Sequence, residues 1–229
     1  DGAERRAHAA TIAGRLDALI GDVAGRTVSA YWPFRGEPDL RAWMESVAER
    51  GGRCALPVVV EKGVPLVFRT WRKGEELASG VWNIPVPAGG AEVVPDVVIA
   101  PVVGFDRGAW RLGYGGGFFD RTLASLPTRP LAIGVGYAMQ EVDTIYPQPH
   151  DIPMTVIATE QELISPPSGR DGGPPLTRRA ASGGARTHGS AFTGNCTDRR
   201  RPVRARRRAS GRGRASRAGF PGRRCRAPS

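Results

Sequence analysis

Apolar residues recur at helical spacing in two segments near the start of the chain. Residues 3–20 predict an amphipathic helix. Its apolar face consists of Ile12, Leu16, Leu19 and Ile20. A second helix is predicted to follow Asp39, whose side chain can cap the first turn, and to end near Gly51. Its apolar positions are Leu40, Trp43, Met44 and Val47.

Continuous apolar runs predict the strands. The predicted strands are residues 28–32, 54–60, 65–71, 97–103, 131–137 and 155–158, and the last of these ends the pattern. A Gly/Pro-rich stretch, residues 72–95, has little regular pattern, and residues 118–126 predict a short helix. The uninterrupted apolar run at 97–103 is typical of a parallel sheet. We therefore expect residues 1–164 to form an α/β domain, with three α/β/α layers and a mostly parallel central sheet.

Charge divides the chain into two regions. The 229 residues carry a net charge of +11. Residues 165–229 contain 17 Arg, no Lys and two Asp, whereas residues 1–164 have a net charge of −4. We expect this Arg/Gly/Pro-rich tail to be disordered, because it has too few apolar residues to offset the entropy of ordering it. It is either a nucleic-acid-binding arm or the product of a GC-rich gene read in a shifted frame.

Cysteine content and hydropathy indicate the cellular setting. Cys54, Cys196 and Cys225 have no metal-site spacing and predict no disulfide framework. No apolar run approaches the roughly 20 residues that span a bilayer, and no signal-peptide pattern opens the chain. We therefore expect a cytoplasmic protein without a membrane partner.

A glycine-rich loop lies between the strand at 97–103 and the helix at 118–126. Gly113, Gly115, Gly116 and Gly117 allow backbone N–H groups to crowd around a ligand, and the following helix directs its positive dipole end there. Arg111, Arg121 and Asp120 flank these glycines. The loop is either a phosphate-binding nest with a carboxylate for Mg²⁺, or a flexible turn. It is not a P-loop, and Phe118 occupies the position where a Rossmann loop needs its third glycine.

Five segments, in order, resemble the 5-formyltetrahydrofolate cyclo-ligase family, also called 5,10-methenyltetrahydrofolate synthetases. The loop from Arg111 to Asp120 is similar to the family motif Arg-Leu-Gly-x-Gly-x-Gly followed by two aromatic residues and Asp. The other segments are Leu56-Pro57-Val58-Val59 before the strand ending at Trp71; Trp82-Asn83-Ile84-Pro85-Val86-Pro87; Pro95-Asp96 leading to Gly104-Phe105-Asp106; and His150-Asp151-Ile152-Pro153-Met154.

The resemblance implies a reaction in which ATP and Mg²⁺ are used to convert 5-formyltetrahydrofolate to 5,10-methenyltetrahydrofolate, with release of ADP and phosphate. The formyl oxygen is phosphorylated, N10 attacks, and phosphate departs. Such a reaction needs positioning and charge neutralisation rather than a protein nucleophile or acid/base residue, and we assign neither. We expect a monomer that binds nucleic acid only non-specifically, through the tail.

The resemblance also implies roles for individual residues. ATP would be bound by Arg111, Leu112, Gly113, Tyr114, Gly115, Gly116, Gly117, Phe118 and Phe119. The folate would be bound by Trp32, Glu37, Gly115, Gly117 and Phe118, and the metal by Asp120 and Asp151. Four of these residues have a structural alternative. Asp120 could stabilise the helix dipole, Asp151 could form a turn, Glu37 could be a solvated loop acid, and Trp32 could belong to the core.

One family element has no counterpart. Members usually begin with a helix carrying a Lys-x-x-x-Arg-type element that reaches ATP, whereas residues 1–20 resemble their second helix. The two lysines, Lys62 and Lys73, lie far from the N-terminus. We therefore expect the ATP-contacting helix to be missing from the 1–164 domain. The alternative functions are a catalytically impaired folate- or nucleotide-binding or interaction protein, and nucleic-acid binding through the tail.

Overall fold

A mixed eight-stranded sheet forms the centre of the computed structural model, which describes residues 1–167. The helices are α1 (Gly2–Ile20), α2 (Arg41–Glu49) and α3 (Phe118–Ser125). The strands are β1 (Thr27–Ser29), β2 (Arg53–Val58), β3 (Val67–Thr70), β4 (Leu77–Ser79), β5 (Pro85–Pro87), β6 (Glu92–Val93), β7 (Val97–Pro101), β8 (Gly104–Phe105), β9 (Arg111–Leu112), β10 (Leu131–Val135), β11 (Val156–Ala158) and β12 (Leu163–Ile164).

The sheet is parallel in its interior and antiparallel at its edges. Its strand order is β12-β11-β10-β7-β1-β2-β3-β6. The pairings β11-β10, β10-β7, β7-β1 and β1-β2 are parallel, whereas β12, β3 and β6 join antiparallel. Parallel neighbours bring their carboxyl ends to one edge of the sheet, where ligands bind in open α/β folds.

Helices cover both faces of the sheet, so the predicted three-layer α/β architecture is confirmed. On β7, Val97 and Ile99 face the core that contains α1 and α2 residues, including Leu16 and Trp43. The alternate residues Val98 and Ala100 pack on the side of α3. The near-continuous apolar character of β7 follows from this burial on both faces.

The structure differs from the sequence prediction in several places. Leu40, not Asp39, is the N-cap residue of α2, but Asp39 Oδ1 accepts a 3.1 Å hydrogen bond from the Arg41 N–H in the first turn, and the carboxylate also pairs with the Arg41 guanidinium. Residues 72–95 contain β4, a 3-10 turn at Val81–Asn83, β5 and β6. The run at 155–158 is not the last strand, because β12 follows it. The Arg-rich tail lies outside the described residues from position 168 onward.

Two findings concern the setting of the chain. Within residues 1–167, no helix is both long and apolar enough to cross a membrane. Cys54 is a buried free thiol whose pKa burial raises to about 11. Cys54 therefore behaves as a core residue, and its Sγ lies 3.1 Å from the Met44 carbonyl oxygen.

Candidate functional site

A cavity of about 490 Å³ opens at the carboxyl ends of the parallel strands. The ends of β2 and β7 contribute Pro57 and Pro101 to its wall, and the segment after β1 contributes Trp32 and Glu37. The glycine loop, residues 113–117, lines the cavity between β9 and α3. The topology thus brings together segments that are up to about 120 positions apart in the sequence.

Backbone conformation explains two of the loop glycines and steric contact explains a third. Gly115 and Gly117 have φ values of +81° and +59°, in the region that side chains with a Cβ rarely adopt. Gly116 is not in that region, but a Cβ there would lie 2.7 Å from the Phe118 ring. Backbone conformation therefore favours glycine at 115 and 117, and the position of the Phe118 ring favours it at 116.

Backbone N–H groups of the loop are available to a ligand. Those of residues 114–119 donate no hydrogen bond to any atom of residues 1–167. They run through the loop into the first turn of α3, whose N-cap, Gly117, has no side-chain capping bond. Free N–H groups at a helix N-terminus favour an anion, because the helix dipole acts in the same direction.

Arg111 and Asp120 form an ion pair at the base of the loop. Arg111 Nη2 lies 2.9 Å from Asp120 Oδ2, and the two side chains are only 5% and 13% exposed. Burial lowers the pKa of Arg111, while the carboxylates of Asp120 and Asp151 oppose that shift. The Nε atom of Arg111 is buried without a hydrogen-bond partner in residues 1–167. The pair therefore fixes the start of the loop against the start of α3.

Asp151 lies beside this pair. The other Asp120 oxygen, Oδ1, accepts a hydrogen bond of 3.2 Å from the Ile152 N–H, which brings the segment after β10 to α3. Asp151 Oδ2 accepts a 2.7 Å bond from the Gln148 N–H, and Asp151 Oδ1 lies 3.7 Å from His150 Nε2. No group of three or more His, Cys, Asp or Glu residues within 1–167 is arranged to hold a metal alone. Two carboxylates suit Mg²⁺ when phosphate oxygens and water complete its shell.

Glu37 faces the other side of the cavity. Its Oε2 accepts a hydrogen bond of 2.8 Å from the Phe34 N–H. Burial raises the pKa of Glu37 to about 7, against the opposing effect of the Phe34 N–H and the Tyr114 hydroxyl. Glu37 forms no ion pair within residues 1–167, and a half-buried carboxylate of this kind has oxygens that can accept hydrogen bonds from neutral donors.

Trp32 lies between the core and the cavity, so its contact with a ligand stays a prediction. It packs against the core and meets Trp71 edge to face, with ring centroids 5.6 Å apart. It also lines the cavity, and the Arg41 guanidinium lies 5.2 Å from its ring centre. One part of its surface therefore supports the fold while another is open to a ligand.

Further aromatic residues that the sequence did not single out for binding line the same cavity. Phe34, Trp82 and Tyr146 are among them, and Trp82 and Tyr146 have positive φ values of 56° and 54°. Trp82 begins the segment 82–87, which resembles the family but has no assigned role. Tyr146 gives no local sequence signal, because its place depends on the path of the loop after β10.

All the sequence-predicted binding residues line this one cavity: Trp32, Glu37, the continuous segment from Arg111 to Asp120, and Asp151. Lining a cavity does not assign a ligand to each residue, so the individual roles stay predictions. The glycine loop lines this cavity, which favours a binding role over that of a flexible turn.

Comparisons with known proteins agree with this geometry. A model of the 5-formyltetrahydrofolate cyclo-ligase family matches residues 2–160. The chain is 34% identical over 170 residues to the 5-formyltetrahydrofolate cyclo-ligase of Mycolicibacterium smegmatis. The aligned region covers 71% of this chain and 87% of the relative. The chain is 32% identical over 150 residues to the Escherichia coli protein of the same name, covering 62% of this chain and 81% of the relative.

A solved structure also matches. The structure of Aquifex aeolicus 5,10-methenyltetrahydrofolate synthetase superimposes with a TM-score of 0.63 at 26% identity, covering 77% of this chain and 90% of that one. The sequence and structure comparisons therefore point to the same family.

Proposed function

The chain belongs to the 5-formyltetrahydrofolate cyclo-ligase family, and we propose that it converts 5-formyltetrahydrofolate to 5,10-methenyltetrahydrofolate at the cavity. The reaction uses ATP and Mg²⁺ and releases ADP and phosphate. The observation that carries the proposal is the convergence of a glycine loop with free N–H groups, two carboxylates and Glu37 on one cavity.

The glycine loop would hold the ATP phosphates. The N–H groups of residues 114–119, which have no partner within residues 1–167, are the donors for phosphate oxygens, and the N-terminus of α3 adds its dipole. Arg111 contributes less directly than its place in the motif suggests, because its guanidinium is already paired with Asp120. It supports the loop and adds positive charge beneath it.

Asp120 and Asp151 would hold Mg²⁺. Each carboxylate retains acceptor capacity, since an ionised carboxylate has about four acceptor sites and the recorded bonds occupy only some of them. When bound, the ion neutralises charge on the ATP phosphates and orients the phosphate that is transferred.

Glu37 would bind the pterin ring. The 2-amino group and N3–H of a pterin present two adjacent donors, and a carboxylate accepts both. Two donors stabilise the ionised carboxylate and so oppose the effect of burial, which raises the pKa of Glu37 to about 7. Trp32 supplies an aromatic surface next to this position.

The chemistry then follows from placement. The formyl oxygen of the substrate attacks the terminal phosphorus of ATP, ADP departs, and an imidate phosphate with positive charge on N5 remains. N10 attacks the former formyl carbon and loses its proton, and the C–O bond breaks as phosphate leaves. Holding the two substrates in register is the main contribution of the protein, and it substitutes for a covalent catalyst.

Product absorbance tests the proposal. The protein is mixed with 5-formyltetrahydrofolate, ATP and Mg²⁺, and methenyl product is followed together with ADP. We expect one ADP for each methenyl group formed, and no product when either ATP or Mg²⁺ is omitted. Absence of product with all three present would contradict the proposed function. A matched reaction with Asp143→Asn, an exposed acid outside the cavity, should proceed as in wild type.

A further inference from the structure

Tyr114 belongs to the glycine loop, but its side chain meets the segment that carries Glu37. Its ring lies edge to face with that of Phe34, with centroids 6.0 Å apart. The Arg35 guanidinium lies 4.9 Å from the centre of the Phe34 ring and 5.8 Å from that of Tyr114. One cation thus contacts both rings and connects the two segments.

The Tyr114 side chain also lies beside Glu37, because both residues line the cavity and Tyr114 packs on Phe34, whose N–H donates a 2.8 Å hydrogen bond to the Glu37 carboxylate. Burial raises the pKa of Glu37 and the Tyr114 hydroxyl opposes that shift, while burial and the Glu37 carboxylate raise the pKa of Tyr114. The hydroxyl itself does not meet hydrogen-bond geometry with Glu37 in this structure. A contact of this kind can tighten when a ligand orders the site.

The loop itself is open to being ordered. The N–H groups of residues 114–119 are not tied to any other part of residues 1–167. Tyr114 is therefore the loop residue that lies beside Glu37 and makes two π contacts to the 34–35 segment. A change at Glu37 has a direct route to the loop through this side chain.

We propose that Tyr114 is a positioning residue that couples the two binding sites, so that a pterin bound at Glu37 orders the glycine loop for ATP. This inference rests on the proposed function, which assigns the pterin to Glu37 and the phosphates to the loop. Pterin donors keep the Glu37 carboxylate ionised, and an ionised acceptor makes a stronger hydrogen bond to the Tyr114 hydroxyl. The conformational freedom of the loop is then reduced before ATP binds.

Coupling of this kind is reciprocal. If the folate increases affinity for ATP, ATP increases affinity for the folate by the same factor. We expect the coupling factor to depend mainly on the Tyr114 hydroxyl, and Tyr114→Phe tests this because it removes the hydroxyl and keeps the ring contacts with Phe34 and Arg35. The matched control is Tyr137→Phe, which removes a buried hydroxyl that is unpaired within residues 1–167 and lies outside the cavity.

Calorimetry measures the coupling. Affinity for a non-hydrolysable ATP analogue with Mg²⁺ is determined with and without saturating 5-formyltetrahydrofolate. We expect the folate to tighten analogue binding about fivefold or more in wild type and in Tyr137→Phe, and less than about twofold in Tyr114→Phe. Arg35→Ala should give an intermediate factor, because it frees the Tyr114 ring and leaves the hydroxyl.

A pH profile separates positioning from simple packing. Loss of the Tyr114 hydroxyl removes a donor that lowers the pKa of Glu37, so folate binding by Tyr114→Phe should fall off at a higher pH than in wild type. The charged or titratable groups around Glu37 are Tyr114, Tyr31, Arg35 and Asp39, and the variant changes only the first.

Two different failures are distinguishable. If wild type forms methenyl product and binds both ligands, but they bind independently or Tyr114→Phe retains the wild-type factor, the coupling is wrong and the proposed function stands. If wild type binds neither ligand and forms no product, the proposed function is wrong and the coupling falls with it.

Discussion

Arg111 and Asp120 lie nine positions apart in the sequence and form an ion pair of 2.9 Å beneath the glycine loop. The pair joins the two ends of the loop, because Arg111 lies in β9 just before the loop and Asp120 lies in the first turn of α3 just after it. Both side chains are nearly buried, so the charge of each is the main compensation for the desolvation of the other. Residues expected to act directly on ATP and metal are therefore also part of the framework that shapes the loop.

Replacing Asp120 tests this double role. Asp120→Asn leaves the buried Arg111 guanidinium without an anionic partner, so we expect the free energy of unfolding to fall by about 1–3 kcal/mol. We also expect weaker Mg²⁺-dependent ATP binding. Urea denaturation measures the first effect and calorimetry the second.

A double variant identifies the source of the stability loss. The double variant Arg111→Met/Asp120→Asn should lose less free energy of unfolding than the sum of the losses in the two single variants, because no unpaired buried charge remains in it. Asp143→Asn, at an exposed position with no recorded ion pair among residues 1–167, should change stability by less than about 0.5 kcal/mol. Additive losses from the two single changes would mean that the ion pair does not stabilise the loop.

Asp151 should separate metal binding from stability. Its side chain is 23% exposed and its main bond is to the nearby Gln148 N–H, so Asp151→Asn should cost less than about 1 kcal/mol of stability. Its effect on ATP binding should appear only in the presence of Mg²⁺, because the lost charge acts on the ion. A Mg²⁺ titration at fixed ATP measures this. Equal loss of affinity with and without Mg²⁺ would contradict a metal role.

Gly116 tests the phosphate role of the loop. Gly116→Val should abolish binding of ATP and weaken folate binding much less, because the new Cβ meets the Phe118 ring and displaces the loop while Trp32 and Glu37 stay in place. Calorimetry of each ligand, with a thermal melt, measures both effects. Unchanged ATP affinity would remove the main physical support for a phosphate cradle.

Gly14 provides the control for adding a Cβ. It lies on the exposed face of α1, and a Cβ there has open space around it. Gly14→Ala should raise stability by about 0.5–1 kcal/mol through helix propensity and leave both ligand affinities unchanged.

Glu37 links pH to stability. Its pKa is raised from the usual value of 4.5 to about 7 by burial, so the folded chain binds this proton more tightly than the unfolded chain. The associated stability is fully present below pH 4.5 and is lost as pH rises through about 7. Glu37→Gln cannot titrate, so it should be more stable than wild type by about 1 kcal/mol at pH 8, a value reduced for partial exposure.

The same variant should lose folate affinity, because an amide cannot accept both pterin donors. Urea denaturation at pH 5 and pH 8 measures the free energy of unfolding of both proteins. The gain in stability of Glu37→Gln over wild type should be larger at pH 8 than at pH 5. A difference that shrinks with rising pH would mean that Glu37 is not the buried, proton-binding acid described here.

The sequence predicted the parallel core and the location of the loop because both signals are local. Uninterrupted apolar runs such as residues 97–103 indicate strands buried on two faces, and clustered glycines indicate backbone close to a ligand. The short strands between residues 72 and 95 were missed, because strands of two or three half-exposed residues in a Gly/Pro-rich stretch carry no clear periodicity.

Long-range geometry was beyond sequence reasoning. The Arg111–Asp120 pair and the contact of Tyr114 with the Glu37 segment depend on how the loop turns back onto the cavity. The positive φ of Trp82 and Tyr146 is likewise set by tertiary packing, since neither residue favours that conformation. The matched motifs predicted a shared site for Arg111, Asp120 and Tyr114 without giving their contacts, and Tyr146 lies in none of the matched segments.

The most direct test of the proposed reaction follows the formyl oxygen. 5-Formyltetrahydrofolate labelled with ¹⁸O in the formyl group is converted with unlabelled ATP and Mg²⁺, and the released phosphate is examined by mass spectrometry. If this oxygen is phosphorylated and then leaves, each phosphate released should carry one labelled oxygen, in step with methenyl product. Unlabelled phosphate alongside methenyl product would contradict the account, because the formyl oxygen would then have left by another route.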